Sequence, residues 1–234
     1  MSVWRIPVSD EDRIAAIRAA IRMEEILPEG ERVLLDGELL EFRYFIRRYE
    51  GELATLSHYL EEESKALRHY DDLSGNARMY VSHFIQVLQL AVLRNEIRRD
   101  YLAFYGLEGG DGLTVPDLST EESLLYWGDF VIRGERERTG RGGIPLYNPA
   151  IAKVKIHYEL LLETIRSLEI HRRNVSRYRE NMLELRTKAA VYIETVWQRV
   201  EEKYRSADRE KYHSVAALYN ITFYNSGDQL NVFD

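Results

Sequence analysis

Apolar and aromatic residues recur at alternating steps of three and four between residues 39 and 70 of this chain. Nine of ten positions in this seam are apolar or aromatic: Leu39, Phe42, Ile46, Tyr49, Leu53, Leu56, Leu60, Glu63, Leu67 and Tyr70. That spacing places all of them on one face of an α-helix. It predicts an amphipathic helix over residues 37–70, whose apolar face must be buried against another element.

A second seam follows the stretch "DDLSGN" at residues 71–76. Its members keep the same spacing: Ala77, Val81, Phe84, Leu88, Ala91, Asn95, Arg98, Leu102 and Tyr105. Glycine, serine and asparagine favour turns, so we read residues 71–76 as a turn between the helices 37–70 and 75–105. Two helices of matched length joined by a short turn are expected to form an antiparallel hairpin.

The hairpin would bring polar members of the two seams into one layer. Facing positions would sum to about 147 in the antiparallel register, which places Glu63 beside His83, with Asn95 and Arg98 near residues 49–52. The favoured interpretation of Glu63, His83, Asn95 and Arg98 is a polar layer that fixes the register of the hairpin. The alternative is a metal or acid–base site in the core of the bundle.

Three further helical regions are predicted around the hairpin. Residues 1–35 form an N-terminal helix and turn, with Ser9 as N-cap and Pro28 as the stop. Residues 107–148 form a loop, a short helix from about 120 to 133, and a second loop. A very long helix covers 149–206, where no internal glycine or proline occurs. Its apolar phase slips near Asn174, and one bent helix is favoured over a break there.

The C-terminal region, residues 215–234, changes character. The apolar segments "LYNITFY" and "QLNVF" flank Asn225–Asp228, which is typical of a β-hairpin turn. The complete prediction is therefore an all-α protein. We expect a single domain over 1–234, built as an elongated antiparallel bundle of four to five helices with this small C-terminal β-hairpin.

Composition narrows the classes of function. The chain has no cysteine, which excludes disulfides and thiolate metal sites. The N-terminus has no signal-peptide pattern, and no apolar stretch is long enough to span a membrane. We therefore expect a cytoplasmic protein with no membrane partner. The net charge of −7 is uneven, because residues 149–234 carry 14 Lys and Arg against 12 Asp and Glu, and residues 1–148 carry 18 against 27.

The stretch "GERERTGRGGIPLYNP" at residues 134–149 is the candidate anion site. Its residues would be Arg138, Arg141, Gly142, Gly143 and Asn148, placed at the start of the long helix, where free N–H groups attract anions. The chain shows neither the strand nor the lysine that a P-loop requires. The favoured interpretation is a flexible connection, with Asn148 capping a helix that starts at Pro149.

A basic stretch at residues 172–188 is the other candidate binding surface. Arg172, Arg173, Arg177 and Arg179 would contact phosphates if the chain bound nucleic acid. A helical run of charge is more often a solvated face, which is the favoured interpretation here.

Long apolar seams together with the scarcity of catalytic motifs favour a non-enzymatic function. We expect a structural, scaffolding or adaptor protein that acts through its helical surfaces and self-associates, with protein partners, no cofactor, no metal and no catalytic residues. An anion- or nucleotide-binding module that uses the 134–148 segment is the first alternative. Nucleic-acid binding through residues 172–188 is the second alternative.

Overall fold

The computed structural model describes residues 3–107, 114–204 and 209–224. Most of them lie in five α-helices: α1 (Asp10–Ile26), α2 (Asp36–Leu93), α3 (Glu121–Gly140), α4 (Ile151–Tyr204) and α5 (Arg209–Leu218). Two 3-10 helices, Glu29–Glu31 and Arg99–Tyr105, precede and follow α2. The predicted all-α class is confirmed. Within the described ranges, none of the helices combines the length and apolarity needed to cross a membrane.

The chain divides into two compact units. Unit 1 comprises Met1–Tyr59 and Val175–Asp234, and unit 2 comprises Leu60–Asn174. Each unit has its own cluster of buried apolar side chains, and α2 and α4 contribute to both clusters. The single domain expected over residues 1–234 stays a prediction.

The predicted hairpin 37–70/75–105 is wrong, because residues 36–93 form one continuous helix of 58 residues. The proposed turn is helical, and Ser74 is buried with its hydroxyl donating to the carbonyl of Asp71 at 3.0 Å. Gly75 is exposed, so its cost is only the ordinary glycine penalty in a helix, about 1 kcal/mol. Tyr70, Ser74, Ala77 and Val81 continue the three-four spacing through the supposed turn, which explains why the helix does not reverse.

The second predicted helix also ends earlier than expected. Asn95 adopts a left-handed conformation with φ of 59°, and the N–H groups of Glu96 and Ile97 donate to the carbonyl of Ala91. Asparagine tolerates this conformation better than most residues and is used to end helices. The residues from Arg99 to Tyr105 then form a 3-10 helix instead of a continuation of α2.

For the remaining helices, the continuity of α4 is as predicted, whereas the start of α4 and the end of α3 differ from the prediction. The long helix is continuous from Ile151 to Tyr204, which confirms that the chain is not broken at Asn174. It starts two residues after the predicted Pro149. Helix α3 is longer than predicted and extends to Gly140, so the first half of the expected 134–148 loop is helical.

The C-terminal region differs from the predicted hairpin over the residues that the structure describes. Residues 215–218 belong to α5. Strand β2 (Phe223–Tyr224) pairs antiparallel with β1 (Val3–Trp4), so its partner is the N-terminal segment. The remainder of the predicted hairpin, residues 225–234, lies outside the described residues.

The apolar cluster of unit 1 is formed by α1, the first part of α2, the last part of α4, and α5. Its buried side chains include Ile17, Phe42, Tyr49, Leu185 and Trp197. The largest buried side chain is Trp197, whose indole N–H donates to the carbonyl of Tyr219 at 3.3 Å.

Two buried or half-buried carboxylates fix the connections of unit 1. Glu24 is fully buried and accepts hydrogen bonds from the backbone N–H groups of Val33 and Leu34 and from the hydroxyl of Tyr219. It therefore ties the segment after α1 to the end of α5. Buried carboxylates persist when their oxygens are satisfied in this way.

Asp10 at the start of α1 joins that helix to α2 and α4. Its carboxylate accepts from the hydroxyl of Tyr49 at 2.6 Å and from two guanidinium nitrogens of Arg186 at 2.9 and 2.6 Å. The hydrogen bond from Arg186 lowers the pKa of Asp10 below its ordinary 3.8, against an opposing effect of burial. The ionised form is therefore stabilised by folding.

We expect Asp10→Asn to lower the free energy of unfolding by about 1–3 kcal/mol at pH 7, because a bidentate charged contact is lost. The stabilisation is fully present above pH 3.8 and is lost as the pH falls through the lowered folded pKa. Urea denaturation of both proteins between pH 7 and pH 2 should show the difference shrinking below about pH 4. Asp36→Asn, at an exposed carboxylate, is the control and should change little. A pH-independent difference would contradict this assignment.

Candidate functional site at the end of α3

The glycine–arginine segment is partly helix and partly a loop that folds back on that helix. After α3 ends at Gly140, Gly142 adopts a left-handed conformation with φ of 88°. The N–H of Gly143 then donates to the carbonyl of Arg138 at 3.1 Å. The chain therefore reverses at Gly142, the position at which a residue without Cβ is needed.

A buried ion pair lies beneath this reversal. Glu135 and Arg138, one turn apart on α3, are 0% and 2% exposed. The Nη2 atom of Arg138 lies 2.8 and 2.9 Å from the two carboxylate oxygens of Glu135, and its Nε lies 3.0 Å from Oε2. The pair also binds backbone, because Arg138 Nη2 donates to the carbonyl of Ile144 and the N–H of Leu146 donates to Glu135. It therefore holds the returning loop against α3.

Tyr105, the last residue of the 3-10 helix, completes the cluster. Its hydroxyl donates to Glu135 and accepts from Arg138 Nε at 2.9 Å. Burial, together with the neighbouring Glu135 carboxylate, raises the pKa of Tyr105 far above its ordinary 10. Burial alone would lower the pKa of Arg138, but Tyr105 and Glu135 outweigh it and raise that pKa. The phenol therefore stays protonated and the guanidinium stays charged.

Two glycines make room for this arrangement. A Cβ on Gly134 would lie 2.5 Å from the ring of Tyr105 and 2.8 Å from the carbonyl oxygen of Phe104. A Cβ on Gly143 would lie 2.8 Å from Nη1 of Arg138. Close packing of α3 against the 3-10 helix thus requires glycine at position 134.

A cavity of about 500 Å³ opens beside the loop. Its lining includes four of the five predicted anion-site residues, Arg138, Arg141, Gly142 and Gly143. Asn148 is the exception. It lies in a turn between Tyr147 and Ala150 and precedes the start of α4 at Ile151 by three residues.

The arginines of this cavity already have carboxylate partners. Arg138 is paired with Glu135, and Arg141 with Glu137 at 2.6 Å. Arg98, which also lines the cavity, is paired with Asp100, and Glu96 adds another negative charge. These pairings offset the positive charge that an anion would require. Anion binding at this cavity stays a prediction, and the charges that line the cavity do not favour it.

The predicted polar layer does not form. Glu63 and His83 lie on the same helix, 20 residues apart, which corresponds to about 30 Å along its axis. Glu63 lies 4.0 Å from Arg172 instead, and His83 is exposed. Asn95 ends α2, and Arg98 is the exposed residue before the 3-10 helix. The layer depended on the hairpin and fails with it.

The four arginines of the predicted basic patch are exposed on α4. Arg172 and Arg173 belong to unit 2, whereas Arg177 and Arg179 belong to unit 1. Arg177 lies over the ring of Tyr178, with 4.9 Å between its Cζ atom and the ring centroid. Exposure suits both a solvated face and a phosphate-binding surface, so nucleic-acid binding stays a prediction.

Among the described residues, no group of three or more His, Cys, Asp or Glu side chains is placed to hold a metal ion. No family model, curated protein or solved structure matches the chain. The assignment of function therefore rests on the chain's own residues.

Sequence reasoning missed Tyr105 and Glu135 as parts of this site. Tyr105 belongs to the second predicted seam, and Glu135 falls within the predicted flexible connection at residues 134–148. The available signal was the helical spacing of Val131, Glu135 and Arg138, which puts a potential ion pair on the buried face of an extended α3.

We expect Glu135→Gln to destabilise the fold by about 3–5 kcal/mol, because it leaves Arg138 buried without a counter-charge. The double variant Glu135→Leu/Arg138→Met should recover most of that loss, since two apolar groups replace the pair. Guanidinium denaturation gives both values. If Glu135→Gln cost less than about 1 kcal/mol, the buried pair would not be the determinant of stability described here.

Gly134→Ala should lower the free energy of unfolding by about 1–3 kcal/mol, because the added methyl group overlaps Tyr105. Gly140→Ala is the matched control on the same helix, where a Cβ meets nothing within 4 Å. We expect that control to be neutral or stabilising by up to about 1 kcal/mol. Thermal denaturation monitored by circular dichroism compares the two, and equal effects would contradict the close packing at Gly134.

Proposed function

We propose that this chain is a non-enzymatic structural, scaffolding or adaptor protein that self-associates through a helical surface. The proposed surface is the outer face of α4 in unit 2, defined by Ile156, Leu160, Glu163, Ser167 and Ile170. The proposed occupant is a second copy of this chain.

The observation that carries the proposal is a second apolar stripe on this helix. The inner face of this part of α4 is buried, with Val154 and Leu161 fully inaccessible and Leu168 nearly so. The outer face repeats the three-four spacing, and its apolar members Ile156, Leu160 and Ile170 are 55%, 40% and 52% exposed. A helix that serves only one core has a single apolar stripe, so a second one favours contact with another helix.

The composition of the stripe suits a reversible association. Three of its five positions are apolar, and the other two, Glu163 and Ser167, are polar. Polar residues in such a seam lower affinity and specify register and oligomer order. Contiguous exposed apolar patches are typical of protein–protein interaction sites, membrane contacts and ligand grooves.

The proposal includes a cytoplasmic location, for which the absence of cysteine is the supporting feature. The acidic charge keeps individual copies soluble while the stripe associates.

Leu160→Glu should raise the dissociation constant for self-association at least tenfold, because it replaces an apolar contact of the stripe by a charge next to Glu163. Size-exclusion chromatography with light scattering over a hundredfold concentration range measures the change. Leu183→Glu is the matched control, since Leu183 is another exposed leucine of α4 outside the stripe. A wild-type protein that stays monomeric at every concentration would overturn the proposal.

A further inference from the structure

The groove between α1 and α2 in unit 1 carries an unusual arrangement of arginines. Two ion pairs cross it, Arg18 with Glu50 and Glu25 with Arg43, each at 2.7 Å. The residue numbers of each pair sum to 68, so the two helices run antiparallel in this register. The groove encloses about 710 Å³.

Two arginines, one on each helix, lie between these two ion pairs along the groove. Arg22 lies four residues after Arg18 and three before Glu25, and Arg47 lies four after Arg43 and three before Glu50. Both line the groove. The α1–α2 ladder therefore has three rungs: Arg18–Glu50, Arg22–Arg47 and Glu25–Arg43.

The middle rung lacks the counter-charge that the outer rungs have. Over the described part of the chain, neither Arg22 nor Arg47 has a carboxylate or other acceptor in contact with its guanidinium group. Each has a like charge four residues away on its own helix, Arg18 and Arg43 respectively, which is a destabilising spacing. The carboxylates three residues away, Glu25 and Glu50, are already paired with arginines of the outer rungs. The six side chains of the ladder sum to +2 in a chain whose net charge is −7.

The wall of the groove is partly apolar. Ala15, Ile21 and Ile46 form its apolar parts. Apolar surroundings strengthen the electrostatic interactions of the charged groups beside them.

We propose that this groove binds a phosphate monoester dianion between Arg22 and Arg47. A guanidinium fork matches two phosphate oxygens, so two forks that face each other can hold one phosphate group from both sides. A dianion neutralises the charge of +2, whereas a carboxylate would neutralise half of it. The ligand is a phosphorylated small molecule or a phosphorylated side chain of a partner protein.

This site is separate from the self-association surface. It lies in unit 1 and uses α1 and the first part of α2, whereas the outer stripe of α4 lies in unit 2. The two proposals therefore fail independently: loss of phosphate binding leaves the oligomeric state unchanged, and a monomeric protein can still bind phosphate.

Isothermal titration at fixed ionic strength tests the site with two probes, phenyl phosphate and a short peptide carrying one phosphoserine. We expect wild-type protein to bind at least one probe and Arg22→Gln/Arg47→Gln to bind it at least tenfold more weakly. Arg48→Gln/Arg136→Gln is the control, because it removes the same charge from exposed arginines outside the groove. This control variant should bind the probe within twofold of wild type.

Similar affinity for both probes assigns recognition to the phosphate alone, and tighter peptide binding assigns it to a phosphorylated partner. No binding of either probe at millimolar concentration, or equal loss in both double variants, overturns the proposal.

A charge reversal provides a readout that general damage to the fold would not produce. Arg47→Glu converts the middle rung into an Arg22–Glu pair like those on either side. It should abolish phosphate binding and raise the melting temperature of the ligand-free protein by about 1–3 °C. Arg48→Glu, one position along, is the control and should do neither. If Arg47→Glu retained binding or lowered the melting temperature, the middle rung would not be the site.

Discussion

Burial of the apolar seams of two very long helices is the constraint on which this structure depends. A helix satisfies its own backbone hydrogen bonds, but most of its stability in a protein comes from the packing of its apolar face. Helices α2 and α4 each supply side chains to both apolar clusters, for example Phe42 and Phe84 from α2 and Trp197 and Leu161 from α4. The shorter elements complete these clusters: α1 and α5 in unit 1, and α3 with its neighbouring 3-10 helix in unit 2.

The buried charges act at the places where the shorter elements must be held to the long helices. Asp10 joins the start of α1 to Arg186 of α4, and Glu24 joins the segment after α1 to Tyr219. Glu135 and Arg138 join the end of α3 to Tyr105 and to the loop that follows. In each case the carboxylate binds backbone N–H groups or hydroxyls in addition to, or instead of, a cation. Such fully hydrogen-bonded charges fix geometry, and removing one partner is more costly than the pair itself is stabilising.

The helical class could be predicted from the sequence because the three-four spacing is a local property. The places where helices end are harder to predict, because a single turn-forming residue can either end a helix or be accommodated within it. The stretch "DDLSGN" contains turn-forming residues, yet Ser74 occupies the next seam position after Tyr70 and is buried, so the unbroken phase decided the outcome. The absence of glycine and proline predicted the continuity of α4 correctly, because nothing there competes with the helix.

The site residues were harder to predict, because their roles depend on tertiary contacts. Gly134 indicated a loop, but its missing side chain provides space for the ring of Tyr105, which no local pattern reveals. Asn95 falls in the second predicted seam, although asparagine also ends helices by adopting positive φ, as it does here. The pairing of β2 with β1 joins segments more than two hundred residues apart and has no local signature.

Two pairs of arginines differ in what surrounds their charge. Arg138 and Arg186 have carboxylates in direct contact, and their positions follow from the need to hold elements together. Arg22 and Arg47 line one groove, between the two ion pairs that cross it. Folding alone favours glutamate at one of those positions, because the neighbouring rungs show that the register accepts an ion pair. Arginine at both positions is therefore explained better by a ligand that supplies the negative charge than by the stability of the α1–α2 contact.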